Sequence, residues 1–430
     1  MTAMAVGYEP VRAWVKGRLQ QTHATIVQTI AWVVLCVLVS QRVTPAALAR
    51  ALPAEQSGSG RARLTRVRRW WAGPALDQAV VSVQLIADAL ALLAPGQAVV
   101  VALDTTRLGK WEVWLAGIVV AGRTLPIGWA GIPYPWPQGR FRTTTLALIR
   151  RLQAAFPTGR RWSLVADRGC PSAALFAQLR QGGTDFSVRL RLSDWVTVTG
   201  VYAKVADHLV AGRLRQGQRT AATLGRGRPT QPFVSGWVVV SATVAAVPRH
   251  KRNLGTLRER AQRAKAHRQH RRHKQGRKTS PPSATAQRDA QTWVRFTTAP
   301  TGRQAVGEYA QRMPIEETFR DWHHRWGVRD AVSTLPTEAM VDRLIGVVCL
   351  AYSLQLQLGQ RLSADPVGRQ RRAHWTVTDR VSWFWCSQQL FTDSGYDWRT
   401  WLAAQWPVLS RVRVSTSTPA PPLPLLAEAA

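Results

Sequence analysis

Three carboxylates stand in settings that suit the binding of divalent metal ions. Asp104 follows the apolar run 98–103, Asp167 follows the apolar run 162–166, and Glu316 lies in a segment with helical spacing. A carboxylate at the end of a buried strand needs a counter-charge, and carboxylate oxygens are the ligands that Mg²⁺ and Mn²⁺ prefer. If the three groups converge, they could hold two Mg²⁺ ions, with Mn²⁺ as the alternative, and promote in-line displacement at a phosphate.

Each acid also has an ordinary structural explanation. An Asp after a strand often caps a turn, as the segment Asp104-Thr105-Thr106 could do. Glu316 could be a first-turn residue favoured by the helix dipole, and Glu317 beside it is a carboxylate of the same type. The metal hypothesis therefore depends on the combination of the three acids rather than on any one of them.

The charge of the chain indicates a polyanionic partner. Its 58 Lys and Arg residues outnumber 24 Asp and Glu residues, which gives a net charge of +34. Such an excess repels itself unless a polyanion is near, and nucleic acid is the commonest polyanion. A membrane surface is the rival, but the most apolar stretch, 29–39, is far shorter than the ~20 residues that span a bilayer and is interpreted as a core helix. We therefore expect a nucleic-acid partner and no membrane.

The four cysteines favour a reducing compartment. Cys36, Cys170, Cys349 and Cys386 are far apart and form no CxxC pair. This spacing argues against a zinc ribbon or a disulfide framework. Together with the charge, it predicts a cytoplasmic protein associated with the nucleoid.

Strands and helices alternate over residues 96–192, which is typical of a mixed α/β sheet. Asp104 and Asp167 would each follow a strand, at the edge where α/β sheets form their sites. The predicted elements are strands 98–103, 111–120, 124–129, 161–166 and 186–192 and helices 143–156 and 172–180.

Composition divides the chain into five segments. The stretch 249–278 holds 13 Lys or Arg residues and one acid, so it is either an arm that lies along phosphates or a solvated loop. The predicted segments are a helical DNA-binding region (1–95), the first part of an α/β core (96–192), a β-rich insertion with the basic arm (193–303), the second part of the core with C-terminal helices (304–410) and a Pro-rich tail (411–430).

The helix that carries Glu316 has two distinct faces. Pro314 suits its first turn, and Glu316, Arg320 and His323 share one face by spacing. The adjacent face is a predicted buried stripe that comprises Ile315, Phe319, Trp322 and Trp326.

A basic run with aromatic residues at its end closes the first helical region. Arg66, Arg68 and Arg69 precede Trp70 and Trp71. Such a run is a plausible DNA reader. It is equally compatible with a solvated helix face whose tryptophans lie in the core.

The spacing of these residues resembles that of a known family. Tyr309, Arg312 and Glu316 match the Tyr-Arg-Glu part of the Y-R-E-K signature, which marks the DDE transposases of bacterial insertion sequences in the insertion-sequence-four group. That family also carries strands that end in Asp-Thr-Thr and Asp-Arg, which are present here as Asp104-Thr105-Thr106 and Asp167-Arg168. The agreement in order and spacing is specific from about residue 98 to residue 330.

The resemblance implies a fold, a site and a reaction. The fold is an RNase H-like core, split by the β-rich insertion, that binds two Mg²⁺ ions through Asp104, Asp167 and Glu316. The reaction is cut-and-paste transposition of double-stranded DNA through a hairpin intermediate, with the protein dimeric in the complex that pairs two transposon ends. The residues implied or expected to contact DNA are Tyr309, Arg312, Arg320, His323, Arg168, Arg66, Arg68 and Arg69.

One position departs from the signature. The expected Lys falls on His323, and an imidazole is mostly neutral at pH 7, so Arg320 or Arg325 could supply the missing charge. Two alternatives stay open: a decayed transposase that acts as a DNA-binding regulator, and a structure-selective nuclease of the same fold. Trp237 and Trp293 could hold a flipped base, as an aromatic residue of the insertion does in related enzymes, or could pack between strands.

Overall fold

The computed structural model describes residues 3–19, 22–53, 58–73, 76–170, 172–226, 232–242, 292–365, 383–392 and 397–409. The chain forms two compact units: unit 1 comprises Met1–Trp162 and Arg312–Ala430, and unit 2 comprises Ser163–Gln311. The predicted basic arm (249–278) and Pro-rich tail (411–430) lie outside the described residues.

Unit 1 combines helices with three strands. Its strands are β1 (Val99–Leu108), β2 (Trp111–Val120) and β3 (Arg123–Pro133). Its helices are α1 (Ala3–Arg18), α2 (Ala24–Ser40), α3 (Pro45–Ala51), α4 (Gly60–Ala72), α5 (Gln78–Ala91), α6 (Arg140–Ala155), α10 (Pro314–Arg320), α11 (Val328–Ser333), α12 (Glu338–Ala364), α13 (Trp383–Thr392) and α14 (Trp398–Leu409), with a π-helical turn at Asp321–Arg325.

Unit 2 is built on a mixed sheet. Its strands are β4 (Trp162–Ala166), β5 (Asp185–Arg189), β6 (Trp195–Val198), β7 (Val201–Lys204), β8 (Arg219–Leu224), β9 (Val234–Ala242) and β10 (Thr292–Thr297), and its helices are α7 (Ala173–Gln181), α8 (Val205–Val210) and α9 (Gly302–Ala310). The strand order is β4-β5-β10-β9-β8-β6-β7. Only β4 and β5 are parallel among these described pairs. Helices and a mixed sheet confirm the expected α/β class.

The strand that carries Asp104 is longer than its apolar run predicts. Asp104 pairs with Leu115, and the pairing continues for four more residues to Leu108. The turn follows at Gly109, whose φ of 68° is in the left-handed region that glycine adopts most easily. The prediction that Asp104 ends its strand is therefore wrong, because the position of the turn decides where β1 ends. The corresponding prediction for Asp167 is confirmed, since β4 ends at Ala166.

The second hairpin of unit 1 has a tight two-residue turn. Ala121 and Gly122 connect β2 to β3 with φ angles of 46° and 74°. Two successive residues with positive φ produce the turn whose twist matches that of the flanking strands.

Helix α12 passes through the core of unit 1. It is long and apolar enough to cross a membrane by length and composition, but 83% of its most apolar window is buried inside the protein. The bent pair of α2 and α3 also passes that test when taken as one span. Burial of this extent is what a core helix requires. Residues 30–38 of α2 are buried as well, which agrees with the interpretation of the stretch 29–39 as a core helix.

A buried ion pair connects α1 to α5. The Nε of Arg18 donates to an oxygen of Asp88 at 2.7 Å, and Nη2 donates to the other oxygen at 2.5 Å. Both side chains are almost fully buried, and the hydroxyl of Ser353 on α12 lies 3.3 Å from the same carboxylate. Two charges removed from water are tolerable only when they pair in this way.

We predict that Asp88→Ala lowers the free energy of unfolding by about 3 kcal/mol or more, because it leaves Arg18 buried without its counter-charge. Urea unfolding measures the change. Glu9→Ala is the matched control, because Glu9 pairs with Arg12 on the solvent-exposed side of α1, and we expect a loss below about 1 kcal/mol there. Equal losses in the two variants would contradict the argument.

A second prediction concerns the pH dependence of stability. Burial raises the pKa of Asp342 to about 6, against the opposing effects of the Gly131 amide and Arg151. The folded protein therefore binds this proton more tightly than the unfolded chain, whose Asp pKa is about 3.9. The stabilisation is present below about pH 4 and is lost as pH rises through about 6, a change of about 3 kcal/mol. We expect Asp342→Asn to flatten the curve of unfolding free energy against pH, and an unchanged slope would refute this.

Candidate active site

Two of the predicted acids meet at one arginine within unit 1. The Nη1 of Arg312 donates to Oδ2 of Asp104, and its Nη2 donates to Oε1 of Glu316 at 2.7 Å. The Arg312 side chain is 6% exposed, whereas that of Glu316 is 48% exposed. A largely buried cation therefore balances one carboxylate on β1 and one at the start of α10.

Local sequence explains how Arg312 and Glu316 come to face the same way. Pro314 begins α10, as predicted, and Arg312 lies in the turn just before it, where its side chain reaches Glu316 in the first turn of the helix. The predicted stripe is confirmed as buried; it comprises Ile315, Phe319, Trp322 and Trp326. This stripe anchors the helix, so that the face with Glu316 is directed away from the core.

The third predicted acid has its own partners within unit 2. Asp167 follows β4, and the hydroxyl of Tyr309 on α9 donates to its Oδ1 at 3.1 Å. The Nη1 of Arg189 lies 3.6 Å from the same oxygen. Since Ala166 pairs with Val188 in the parallel pair β4–β5, Arg189 is the residue beside Asp167. Sequence reasoning missed Arg189, and only the register of the two strands could have found it.

The donor chemistry of these groups fits a hard divalent cation. Each acid offers carboxylate oxygens, which Mg²⁺ prefers, and Asp104 and Glu316 already converge on a positive group. Among the residues that the structure describes, no group of three or more His, Cys, Asp or Glu side chains forms a metal-holding cluster. The agreement with a metal site therefore rests on ligand type and on the convergence within unit 1.

His323 occupies the position where the signature has Lys. Its Nε2 is 2.8 Å from the hydroxyl of Thr106 on β1. Burial is the main cause that lowers the pKa of His323, and the nearby Arg329 and His324 lower it further. The imidazole is therefore neutral at pH 7 and does not replace the charge of a lysine.

A buried acid holds the π-helical turn that presents His323. Asp321 accepts from Nε of Arg123 at 3.0 Å and from the hydroxyl of Tyr352 at 3.0 Å. The Nε of Arg325 lies 3.3 Å from its other oxygen, and the amide of Trp326 donates to its carbonyl at 3.1 Å. These contacts fix the turn, which periodicity alone did not predict.

The other predicted DNA-binding residues differ in their surroundings. Arg320 is exposed and pairs with Glu317 at 2.6 Å. Arg168 is exposed in the segment after β4, and its carbonyl accepts from Nε of Arg191 at 2.7 Å. The geometry thus leaves the Arg320 and Arg168 side chains at the protein surface.

The basic run of the N-terminal region lies on α4. Arg68 and Arg69 are exposed and Arg66 is partly exposed. Trp70 and Trp71 are buried. The tryptophans therefore belong to the core, while the arginines provide a positively charged face.

The two tryptophans of the predicted insertion are engaged in packing contacts. The guanidinium of Arg219 lies 3.5 Å from the ring centre of Trp237. Trp293 packs edge-on against Tyr309, with ring centres 5.4 Å apart. Both contacts agree with the packing interpretation.

We predict that Arg312→Met destabilises the protein by about 2 kcal/mol, because Asp104 and Glu316 then lose a shared counter-charge. Millimolar Mg²⁺ should restore part of that loss, since ligand binding to the folded state stabilises it. Thermal melting with and without Mg²⁺ measures both effects. The control is Arg320→Met, which removes an exposed arginine from the end of α10 and should respond little to Mg²⁺. An equal response of both variants would argue against a cation site at these acids.

Comparison with known proteins gives one family match. Residues 141–354 match the family model of the transposase DDE domain, a range that covers close to half of the chain. It includes Asp167 and Glu316 but begins after Asp104. No curated protein matches the chain. The mixed α/β architecture is consistent with an RNase H-like core of such enzymes. The family match over residues 141–354 and the mixed α/β fold together support the resemblance of this chain to the DDE transposases.

Proposed function

We propose that this protein is a DDE transposase, which cleaves DNA at transposon ends and joins the freed end to target DNA by a cut-and-paste route, as in the insertion-sequence-four group with its Y-R-E-K signature. The observation that supports this most is the placement of the signature residues. Tyr309 contacts Asp167 in unit 2, and Arg312 contacts both Asp104 and Glu316 in unit 1. Each of these signature residues is thus paired with an acid that the proposed chemistry requires.

The catalytic acids in this proposal are Asp104, Asp167 and Glu316, which would hold two Mg²⁺ ions, with Mn²⁺ as the alternative. Bound there, such ions supply an activated water or 3′-hydroxyl and stabilise the leaving oxygen. Glu316 is preferred to Glu317, because Glu316 shares Arg312 with Asp104 whereas Glu317 pairs with the exposed Arg320.

Arg312 and Tyr309 orient the acids and offer donors to the phosphate beside the cleaved end. A guanidinium has a planar fork of N–H donors that suits carboxylate and phosphate alike. Arg312 therefore contacts Asp104 and Glu316 at the same time and can share its donors with an incoming phosphate. The phenol of Tyr309 is a single donor of the same kind.

The charge of the signature lysine is supplied from another position. His323 is neutral and its Nε2 is engaged by Thr106. Arg325 contacts Asp321 and Gln388. Arg320 is exposed on the same helix as Glu316, so we assign it the electrostatic contact with phosphate and leave His323 a neutral hydrogen-bonding role.

The proposed partners are double-stranded terminal inverted repeats and target DNA. The exposed arginines of α4 and Arg168, together with the net charge of +34, support phosphate contacts. Water would free a 3′-hydroxyl at each transposon end, that hydroxyl would attack the opposite strand to form a hairpin, and the reopened end would join target DNA. Pairing two ends requires at least a homodimer in the synaptic complex, which would act in the cytoplasm on the nucleoid.

The test is cleavage of a labelled duplex that carries the element's own terminal repeat, with Mg²⁺ or Mn²⁺. We expect Asp104→Ala, Asp167→Ala and Glu316→Ala to bind the duplex but to cut it about 10³-fold more slowly or not at all. Loss of metal-based stabilisation costs several kcal/mol, and each ~1.4 kcal/mol is tenfold in rate.

Glu317→Ala is the matched control, because it removes the adjacent carboxylate that pairs with Arg320. It should retain cleavage within about tenfold. If the native protein binds the repeat tightly and never cuts with either metal, the chain is a DNA-binding regulator and the enzymatic proposal is wrong. Cleavage without any strand-transfer product would instead indicate a nuclease.

A further inference from the structure

Two arginines face each other across neighbouring strands of unit 2. Arg189 on β5 is the direct cross-strand partner of Arg295 on β10. Like charges directly opposite each other destabilise a sheet. The Arg295 side chain is also fully buried, so this pair carries a cost that needs a compensating role.

The hydrogen bonds of Arg295 do not account for its burial. Its Nη1 donates to the hydroxyl of Ser241 at 2.6 Å. Within the part of the chain that the structure describes, its Nε and Nη2 have no hydrogen-bond partner. Burial lowers the pKa of Arg295 to about 10, so the group is still a cation at pH 7. A buried charge with so few partners is rare in proteins.

The guanidinium of Arg295 lies beside two aromatic rings, and one of them, that of Tyr309, contacts Asp167 through its hydroxyl. Its guanidinium carbon lies 4.8 Å from the ring centre of Tyr309 and 5.5 Å from that of Trp293. Trp293 also receives the guanidinium of Arg189 at 4.4 Å. A cation against a ring face is attracted to it, and more strongly when both are removed from water. Arg295 therefore holds the ring whose hydroxyl donates to Asp167.

Tyr309 and Arg189, which both approach Asp167, also lie beside the buried guanidinium of Arg295. Tyr309 and Arg189 approach the same oxygen, Oδ1, at 3.1 Å and 3.6 Å. Arg295 attracts the ring of Tyr309, and as a like charge it repels Arg189. The carboxylate of Asp167, 3.6 Å from Arg189, offers that side chain an opposite charge that offsets the repulsion.

We propose that Arg295 is a positioning residue for Asp167, which acts through Tyr309 and Arg189 and never touches the substrate. The proposal rests on the proposed function in one respect, namely that Asp167 is a catalytic acid. Groups that orient a metal ligand or catalytic carboxylate typically contribute about 10- to 100-fold in activity or metal affinity. A purely structural Arg295 would instead be replaceable by an apolar side chain of similar length.

The kinetic test compares Arg295→Met, Arg295→Lys, Tyr309→Phe and the double variant Arg295→Met/Tyr309→Phe at saturating duplex. We expect Arg295→Met to slow nicking about 10- to 100-fold with unchanged affinity for the duplex. Arg295→Lys, which keeps the charge, should recover most of the rate. Because Arg295 acts through Tyr309, the double variant should be no slower than Tyr309→Phe alone.

Arg219→Met is the matched control. Arg219 also lies over a tryptophan in unit 2, Trp237, and its Nε is likewise buried without a hydrogen-bond partner among the described residues. We expect its nicking rate to equal that of the native protein. The proposal is overturned if Arg295→Lys is as slow as Arg295→Met while both melt like the native protein, or if the effects of Arg295→Met and Tyr309→Phe multiply.

A second readout does not require activity. The chain has 6 tyrosines, so selective ¹³C labelling at Cζ gives few resonances, and that of Tyr309 is identified by its loss in Tyr309→Phe. We expect it to shift in Arg295→Met and not in Arg219→Met. If the native protein never nicks DNA, the proposed function fails, while the shift still supports the positioning role. An unshifted resonance in a folded variant overturns that role even if the native protein nicks. Should Arg295→Met fail to fold, Arg295→Gln takes its place.

Discussion

The sharing of one guanidinium by two carboxylates determines the geometry of unit 1 around Asp104. Arg312 is largely buried, and its two terminal nitrogens are directed at Asp104 on β1 and Glu316 on α10. This cation balances the negative charges of both carboxylates. The contact ties the first turn of a helix to the middle of a strand, and the buried stripe of α10 holds that helix against the core. The ion pair of Glu316 and the apolar contacts of the buried stripe therefore both require the same orientation of helix α10.

Pairs of an acid with an arginine recur elsewhere in the structure. The chain has fewer than half as many acidic as basic residues, and several of its acids lie inside, where they pair with arginine. Asp88 holds Arg18 and Asp321 holds Arg123 in this way, and the partly exposed Asp167 receives Arg189. Buried acids of this kind fix pairs of elements, because each needs a specific partner. Other arginines that the structure describes, such as Arg68, Arg69 and Arg320, face outward, which is how a strongly basic protein can have a specific core and a surface that attracts polyanions.

Sequence patterns predicted what depends on neighbours along the chain. The stripe of α10, Pro314 at its start and the position of Asp167 after β4 follow from local periodicity and apolar runs, and the structure has them. What failed or was missed depends on register between strands. Asp104 lies inside β1 because β2 continues to pair with it. Arg189 meets Asp167 because β4 and β5 run parallel in one register. No pattern within a single segment contains that information. Local periodicity likewise could not predict that Tyr309 contacts Asp167 and that Arg312 contacts Asp104 and Glu316.

The π-helical turn at Asp321–Arg325 changes how distances along this segment should be counted. In an unbroken α-helix, seven residues complete close to two turns, so His323 would lie directly above Glu316. A π-helical turn is wider and takes about one residue more. Here His323 is partly buried against Thr106, whereas the next residue, His324, is exposed. The residue that lies two turns above Glu316, on the same side of the helix, is therefore His324 rather than His323. If this segment is aligned by residue number with an uninterrupted α-helix, side chains after the π-helical turn are matched with side chains that point in a different direction. Matching the directions requires a shift of one residue.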